Sequence, residues 1–268
     1  MSVAAETSPA PPVDRPACEV AGVTKSFGAV KAVDDVSLRV APGSLTCLIG
    51  PNGAGKSTLL GCISGFHLVD EGTVYVGGHD VTRWPPHRRA RQGLATVFQT
   101  TRPLAQLDVV DNAAVGAHVR SRAGFVESMV RPPWQWREEH RIRGEAHDAL
   151  ALVGLEDRAS APAGVLPLGQ LRLLALARAL AQEPALLLLD EPAAGLRSGE
   201  KAQLIEALRT LSRRGLTMVL VEHDMQFVGA IAERVVVLDR GRVIADGAPS
   251  EVRHDPGVIA AYLGSTSL

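Results

Sequence analysis

Apolar residues follow two different rhythms along this chain. Residues 18–27 (CEVAGVTKSF) and 32–40 (AVDDVSLRV) are short, β-branched and partly alternating, which predicts strands near a sheet edge. Residues 41–44 (APGS) make a turn, and Leu45–Ile49 (LTCLI) follows, apolar without alternation and ending at glycines. That pattern suits a strand buried on both faces of a parallel sheet. From Leu166 onward helices and strands alternate: helix 169–182, strand 185–190, helix 199–213, strand 216–221, helix 224–232, strand 234–239. Asp239-Arg240-Gly241 then turns Val235–Leu238 back onto Val243–Ala245 as a hairpin.

The middle of the chain behaves differently. Asp108–Val119 and Glu138–Val153 carry Ala, Leu and charges at helical spacing. Between them SRAGFVESMVRPPWQW is irregular and broken at Pro132-Pro133. The expectation is an α/β protein with a mainly parallel sheet, helices on both faces and a helical insertion at 101–165. Residues 1–17, rich in Ala and Pro, lack the basic start and apolar centre of a signal peptide and read as a flexible tail. The remainder, 18–268, reads as one domain whose core is 18–100 plus 166–268.

Composition narrows the class. The chain has 268 residues, 46% of them hydrophobic, which is enough to bury a large core. Its 28 basic and 29 acidic residues leave a net charge of −1, so the basic excess of a dedicated nucleic-acid binder is missing. No apolar run approaches the ~20 residues that span a bilayer. Three scattered cysteines, Cys18, Cys47 and Cys62, favour neither a disulfide framework nor a zinc ribbon and suit a reducing compartment. His140 and His147 are seven apart and could share a helix face, but no acidic or Cys cluster completes a metal site, so they read as solvated helix residues.

Two segments carry chemistry. Gly50, Pro51, Asn52, Gly53, Ala54, Gly55, Lys56, Ser57 and Thr58 fit GxxxxGK[ST], after a buried strand and opening a helix. The glycines let backbone N–H groups curl around phosphate oxygens, and the helix N-terminus adds its positive end. Lys56 would reach the β/γ-phosphates of a nucleotide and Ser57 would ligate Mg²⁺. The second segment is Leu186–Glu191 (LLLLDE). An aliphatic strand ending in carboxylates puts them at the sheet edge where open α/β folds bind ligands. Asp190 suits Mg²⁺, and Glu191 is placed to polarise an attacking water.

Together these pieces resemble the ATP-hydrolysing subunit of an ABC (ATP-binding cassette) transporter, over nearly all of residues 18–265. Further motifs carry the resemblance in order: Phe27 in VTKSFGAVKAV, Gln99 in LATVFQT, Ala193-Ala-Gly-Leu196 after Glu191, and His223 in VLVEHDM. The resemblance implies a P-loop NTPase core with an N-terminal antiparallel β subdomain and an inserted helical subdomain. It also implies that Phe27 stacks on adenine and that Gln99 senses Mg²⁺ and the γ-phosphate. His223 would contact the γ-phosphate, and the 193–196 loop would touch a second cassette. PPHRRARQGLATVFQT, LLLLDEPAAGL, VEHDM and the ending VIAAYLG are similar to the importers of branched-chain amino acids. On this reading the basic run Arg83–Arg91 is a solvated helix.

One segment departs from the family pattern. The family signature LSGGQ, often LSYGQ in this subgroup, stands here as Leu166, Pro167, Leu168, Gly169 and Gln170. Proline is tolerated at a helix start, but it has neither hydroxyl nor N–H to offer the partner's γ-phosphate. Arg197 also stands where the subgroup usually has Asn. The resemblance implies an ATPase at the cytoplasmic face of the membrane, with Glu191, His223 and Lys56 catalytic, ATP and Mg²⁺ as cofactors, and no nucleic-acid partner. Its partners would be a second cassette, separate permease chains and, indirectly, an external solute-binding protein. Branched-chain amino acids are the expected cargo. Urea, amides or another solute, and a weakly hydrolysing regulatory subunit, stay open as alternatives, as does an ABC ATPase that serves no permease.

Overall fold

The computed structural model describes residues 15–99, 103–120 and 133–264. Most of the expected tail, and most of the irregular segment before Pro133, lie outside the described residues. So do the side chains of Trp134 and Trp136.

Strands β1 (Cys18–Phe27), β2 (Val30–Val40), β4 (Glu71–Val76) and β5 (His79–Asp80) form an antiparallel sheet in the order β2-β1-β4-β5. A six-stranded sheet runs β10-β9-β3-β8-β7-β6. Its members are β3 (Leu45–Ile49), β6 (Leu94–Val97), β7 (Leu186–Asp190), β8 (Thr217–Val221), β9 (Arg234–Asp239) and β10 (Arg242–Gly247). All pair in parallel except β10, which returns antiparallel on β9.

The unalternating strands are buried on both faces. Leu48, Leu188, Val219 and Val236 face the antiparallel sheet, in one apolar cluster with Leu59, Leu60 and Ile63 of helix α1 (Lys56–Ser64). Their neighbours Cys47, Ile49, Leu187, Leu189 and Leu220 face the other helices in a second cluster. Each such leucine is worth roughly 1.5–3 kcal/mol when fully buried, which holds the strands to one register. Helix α1 therefore shares one core with the antiparallel sheet and one face of the parallel sheet.

The second cluster takes in α3 (Val109–Ala117), α4 (Pro133–Leu152), α5 (Leu168–Leu180), α6 (Ser198–Arg213) and α7 (Met225–Ile231). Short helices α8 (Pro249–Val252) and α9 (Pro256–Gly264) close the chain. Two expectations need correction. Helix α4 begins at Pro133 rather than near Glu138, so Pro133 opens the helix instead of breaking the segment; a first-turn proline has no N–H that the helix would miss. The basic run contains a short helix, α2 (Pro86–Arg91), but it is not solvated throughout. Arg89 is fully buried, and its guanidinium donates to the carbonyls of Cys62, Ile63, Thr82 and Trp84. Burial lowers its pKa, yet a guanidinium stays charged, so it serves as a cation under the C-terminal end of α1.

Candidate nucleotide site

The ends of β3, β7 and β8 meet at one edge of the parallel sheet. The loop after β3 turns on glycines at positive φ, Gly50 at 146° and Gly55 at 99°. A Cβ at Gly55 would lie 2.1 Å from the Ala32 carbonyl oxygen, and one at Gly50 would lie 2.0 Å from that of Leu238. No other residue fits either place. The hairpin turn between β9 and β10 backs the loop: Gly241 N–H donates to Ala54 O at 3.0 Å, and Gly241 O accepts from Asp34 N–H at 2.9 Å. Pro51, Asn52 and Gly53 lie at the solvent side of this curl, and Thr58 follows Ser57 into α1.

Lys56 is buried, and its ammonium donates to the Gly50 and Pro51 carbonyls at 2.7 and 2.9 Å. Among the described residues no carboxylate lies within ion-pair distance of it. Burial pushes its pKa below the ordinary value, while Glu191 and Asp190 pull the other way. A buried cation held only by neutral carbonyls fits an anionic phosphate in the loop. The Ser57 hydroxyl donates to Asp190 Oδ1 at 3.1 Å. Burial pushes the Asp190 pKa up, against the Ser57 bond. One hydroxyl and one carboxylate at this spacing are hard oxygen donors of the kind Mg²⁺ takes.

Glu191 follows β7 with φ at 46°, a left-handed conformation that costs a non-glycine residue on the order of 1–3 kcal/mol. Its N–H is held by Val221 O at 3.0 Å, which turns the side chain away from the strand line. There Oε2 accepts from the Gln99 amide at 3.1 Å, and Oε1 lies 3.8 Å from His223 Nδ1. Gln99 thus meets Glu191 rather than the Ser57–Asp190 pair. Phe27 stands at the end of β1, 48% exposed, its ring edge-on to His67 at 5.3 Å. His67 lies just beyond α1.

The signature segment opens α5. Pro167 occupies the N-cap position without a side-chain hydrogen bond, Leu166 is buried, Leu168 is exposed and Gln170 is half-buried. Gly169 N–H donates to Glu200 Oε1 at 3.0 Å, and the other oxygen of Glu200 accepts from Arg197 N–H at 2.9 Å. Two turns of chain that the sequence does not link are thereby joined at one carboxylate. Arg172, also on α5, donates to the Gln99 carbonyl and so ties the loop after β6 to the signature helix. Arg172 carries no sequence signal of its own, since it acts through a backbone atom far away in the chain; Glu200 is marked only as the third residue of α6, which foretells its bond to Arg197 and not the one to Gly169. Glu222 does carry one: a carboxylate that continues the aliphatic strand TMVLV, as Asp190 and Glu191 continue LLLL.

A parallel sheet with this glycine-rich loop, its lysine and serine, and carboxylates at the end of β7, one strand beyond its neighbour β8, defines a P-loop nucleotide hydrolase. The chain belongs to the ABC transporter family, whose model matches residues 33–194. A second model, described as branched-chain amino acid ATP-binding cassette transporter, matches residues 242–266. The chain is 37% identical over 253 residues to the high-affinity branched-chain amino acid transport ATP-binding protein BraF of Pseudomonas aeruginosa, covering 94% of this chain and 99% of that one. Among solved structures, the ADP conformation of an ATP-binding cassette of an ABC transporter superposes with a TM-score of 0.81 at 32% identity, covering 93% of this chain and 99% of that one. A dimeric cassette in a post-hydrolysis state with ADP and Pi gives a TM-score of 0.72 at 25% identity, covering 87% and 98%. The protein is an ATP-binding ATPase of this family.

Proposed function

We propose that this ATPase energises the import of branched-chain amino acids through separate permease chains, working with a second cassette at the cytoplasmic face of the membrane. Support for the cargo comes from the BraF likeness over nearly the whole chain and from the match at 242–266. No helix among the described residues is long and apolar enough to cross a membrane, so a permease would have to supply the path. The helical insertion at 101–165 is the surface we assign to that contact, with Leu104 and Leu107 exposed on it.

The observation that carries the site is the meeting of Ser57, Asp190, Glu191, Gln99 and His223 at one sheet edge beside the buried Lys56. ATP is the substrate, its γ-phosphoryl passing to water with ADP as the leaving group, and Mg²⁺ would neutralise the phosphate charge. Lys56 and the loop N–H groups bind and orient the phosphates, Ser57 and Asp190 would hold Mg²⁺, and Gln99 holds Glu191 beside them. Glu191 takes the proton of the attacking water, and His223 steadies the γ-phosphate. Phe27 provides an exposed ring for the base.

The reading is tested by uptake of labelled leucine and labelled urea in cells lacking this chain, complemented with wild type or Lys56→Ala. Leucine uptake should return only with wild type, and urea uptake should be the same throughout. Urea uptake that follows the wild-type gene while leucine does not would replace the cargo.

A further inference from the structure

Glu222 is the only acidic side chain among the described residues that is fully buried, 1% exposed. It follows β8 and has its own N–H held by Leu48 O, at the strand that feeds the glycine-rich loop. Both carboxylate oxygens are in use. One accepts the Ala193 N–H at 2.9 Å, and the other accepts the His223 N–H at 3.2 Å. The second oxygen also lies 3.9 Å from His223 Nδ1. Among the described residues no Lys or Arg lies within ion-pair distance of it.

Burying a carboxylate without a cation is unfavourable, and an apolar residue of similar volume avoids that cost. Burial accordingly pushes the Glu222 pKa up, and the two N–H bonds pull it back only in part. What a carboxylate offers that glutamine does not is acceptance at both ends. An amide would turn its NH₂ against one of the two N–H donors.

Those donors belong to the two segments that matter. Ala193 lies two residues beyond Glu191, in the turn that holds Glu191 at positive φ and whose Ala194 N–H returns to Glu191 O at 3.1 Å. His223 is the histidine that faces Glu191 at 3.8 Å. We propose that Glu222 is a positioning residue that clamps the Glu191 turn to the His223 backbone and thereby fixes the spacing of these two groups. The proposal rests on the roles assigned above to Glu191 and His223. Because the 193–196 turn is also the one assigned to the second cassette, the same clamp would pass a shift of that turn to His223.

The test is steady-state ATP hydrolysis of the assembled complex, and thermal unfolding of this chain, with Glu222→Gln, His223→Ala, the double variant and Glu191→Gln. Glu222→Gln should lower kcat on the order of 10²-fold, the usual effect of a misplaced group. KM should stay within about threefold, since ground-state binding is untouched. Its melting temperature should stay close to wild type, because the lost buried charge offsets the N–H left facing an amide. The double variant should hydrolyse no more slowly than His223→Ala, since both act on one unit. A Glu222→Gln kcat equal to wild type overturns the clamp. So does a kcat loss that multiplies with His223→Ala, or one that comes with loss of the folded state at the assay temperature. Should Glu222→Gln fail to fold, Glu222→Asp keeps the charge and shortens the reach, and the same kcat loss is expected. If Glu191→Gln and His223→Ala both keep wild-type turnover, the site assignment fails instead.

Discussion

Pro167 and Arg197 each stand at the start of a helix without a side-chain oxygen to offer, and Glu200 supplies one to both helices. The cap is kept, but as a negative carboxylate on the Gly169 N–H rather than a neutral hydroxyl. Backbone bonds from Arg197 and Gly169 hold its carboxyl below the usual Glu range. A phosphate approaching the α5 N-terminus would meet that charge. Pro167→Ser restores a hydroxyl there and should raise ATP turnover of the assembled complex roughly tenfold, the worth of one hydrogen bond to a charged group. Unchanged or lower turnover would count against a role for this proline. Glu191→Gln keeps the shape of the group and removes its basicity. It should lower kcat by about 10²-fold or more, in the range of general-base deletions, with nucleotide affinity retained in an equilibrium binding measurement.

At the scale of elements, two helices near the site are held by charges that the strand and helix pattern does not reveal. Helix α1 ends on the buried Arg89, which bonds the carbonyls of Cys62 and Ile63. Arg89→Leu would leave the buried carbonyls of Cys62, Ile63 and Thr82 without this donor and should cost at least about 3 kcal/mol in denaturant unfolding. Full stability in that variant would mean that other donors can reach them. Helix α7 begins at Asp224, whose Oδ1 accepts from the N–H groups of Gln226 and Phe227 while Oδ2 takes Lys201 at 2.6 Å. The Lys201 bond, then the Phe227 bond, hold the Asp224 carboxyl below its ordinary value. For an acid with a lowered native pKa, the stabilisation is present above the unfolded value and lost as pH falls through the native one. Asp224→Ala should therefore cost about 1 kcal/mol near neutral pH, the usual worth of an N-cap. The gap to wild type should close in acid, below the ordinary Asp value of 3.8. A gap independent of pH would show that shape rather than charge sets the cap.

For the whole molecule, the open question is which surface meets the α5 N-terminus. Light scattering on Glu191→Gln protein with ATP and Mg²⁺ should find a monomer that binds nucleotide, since in a pair of copies each γ-phosphate would face Pro167 and Glu200 of the other copy. Adding Pro167→Ser should move it toward a dimer. An ATP-dependent dimer with Pro167 in place would mean that two such signatures clamp nucleotide, and that a homodimer suffices.

Much of this was legible along the chain, because the signals are local. Unalternating runs mark strands buried on both faces, and Leu45–Ile49 and Leu186–Asp190 are such strands. The loop from Gly50 to Thr58 is legible from its own residue pattern, although what crowds Gly50 and Gly55, the Leu238 and Ala32 carbonyls, is not. A proline pair, by contrast, says that backbone N–H groups are missing but not whether a helix begins there or fails, and α4 begins there. The basic run 83–91 was misleading for a related reason: six residues of helix pattern do not say which arginine turns inward. Arg89 turns inward because the carbonyl ends of α1 and the strand β5 region lie beneath it. Sequence alone determined the strand–helix order, the phosphate loop and the carboxylates at the strand ends, all set by residues adjacent in the chain. Tertiary structure alone decided that Glu222, Glu200, Arg172 and Arg89 bridge segments 26 to 73 positions apart, as in the Arg172–Gln99 and Arg89–Ile63 bonds. Each of them acts on a backbone N–H or carbonyl, groups that every residue carries, so only proximity in the folded chain selects which one is met.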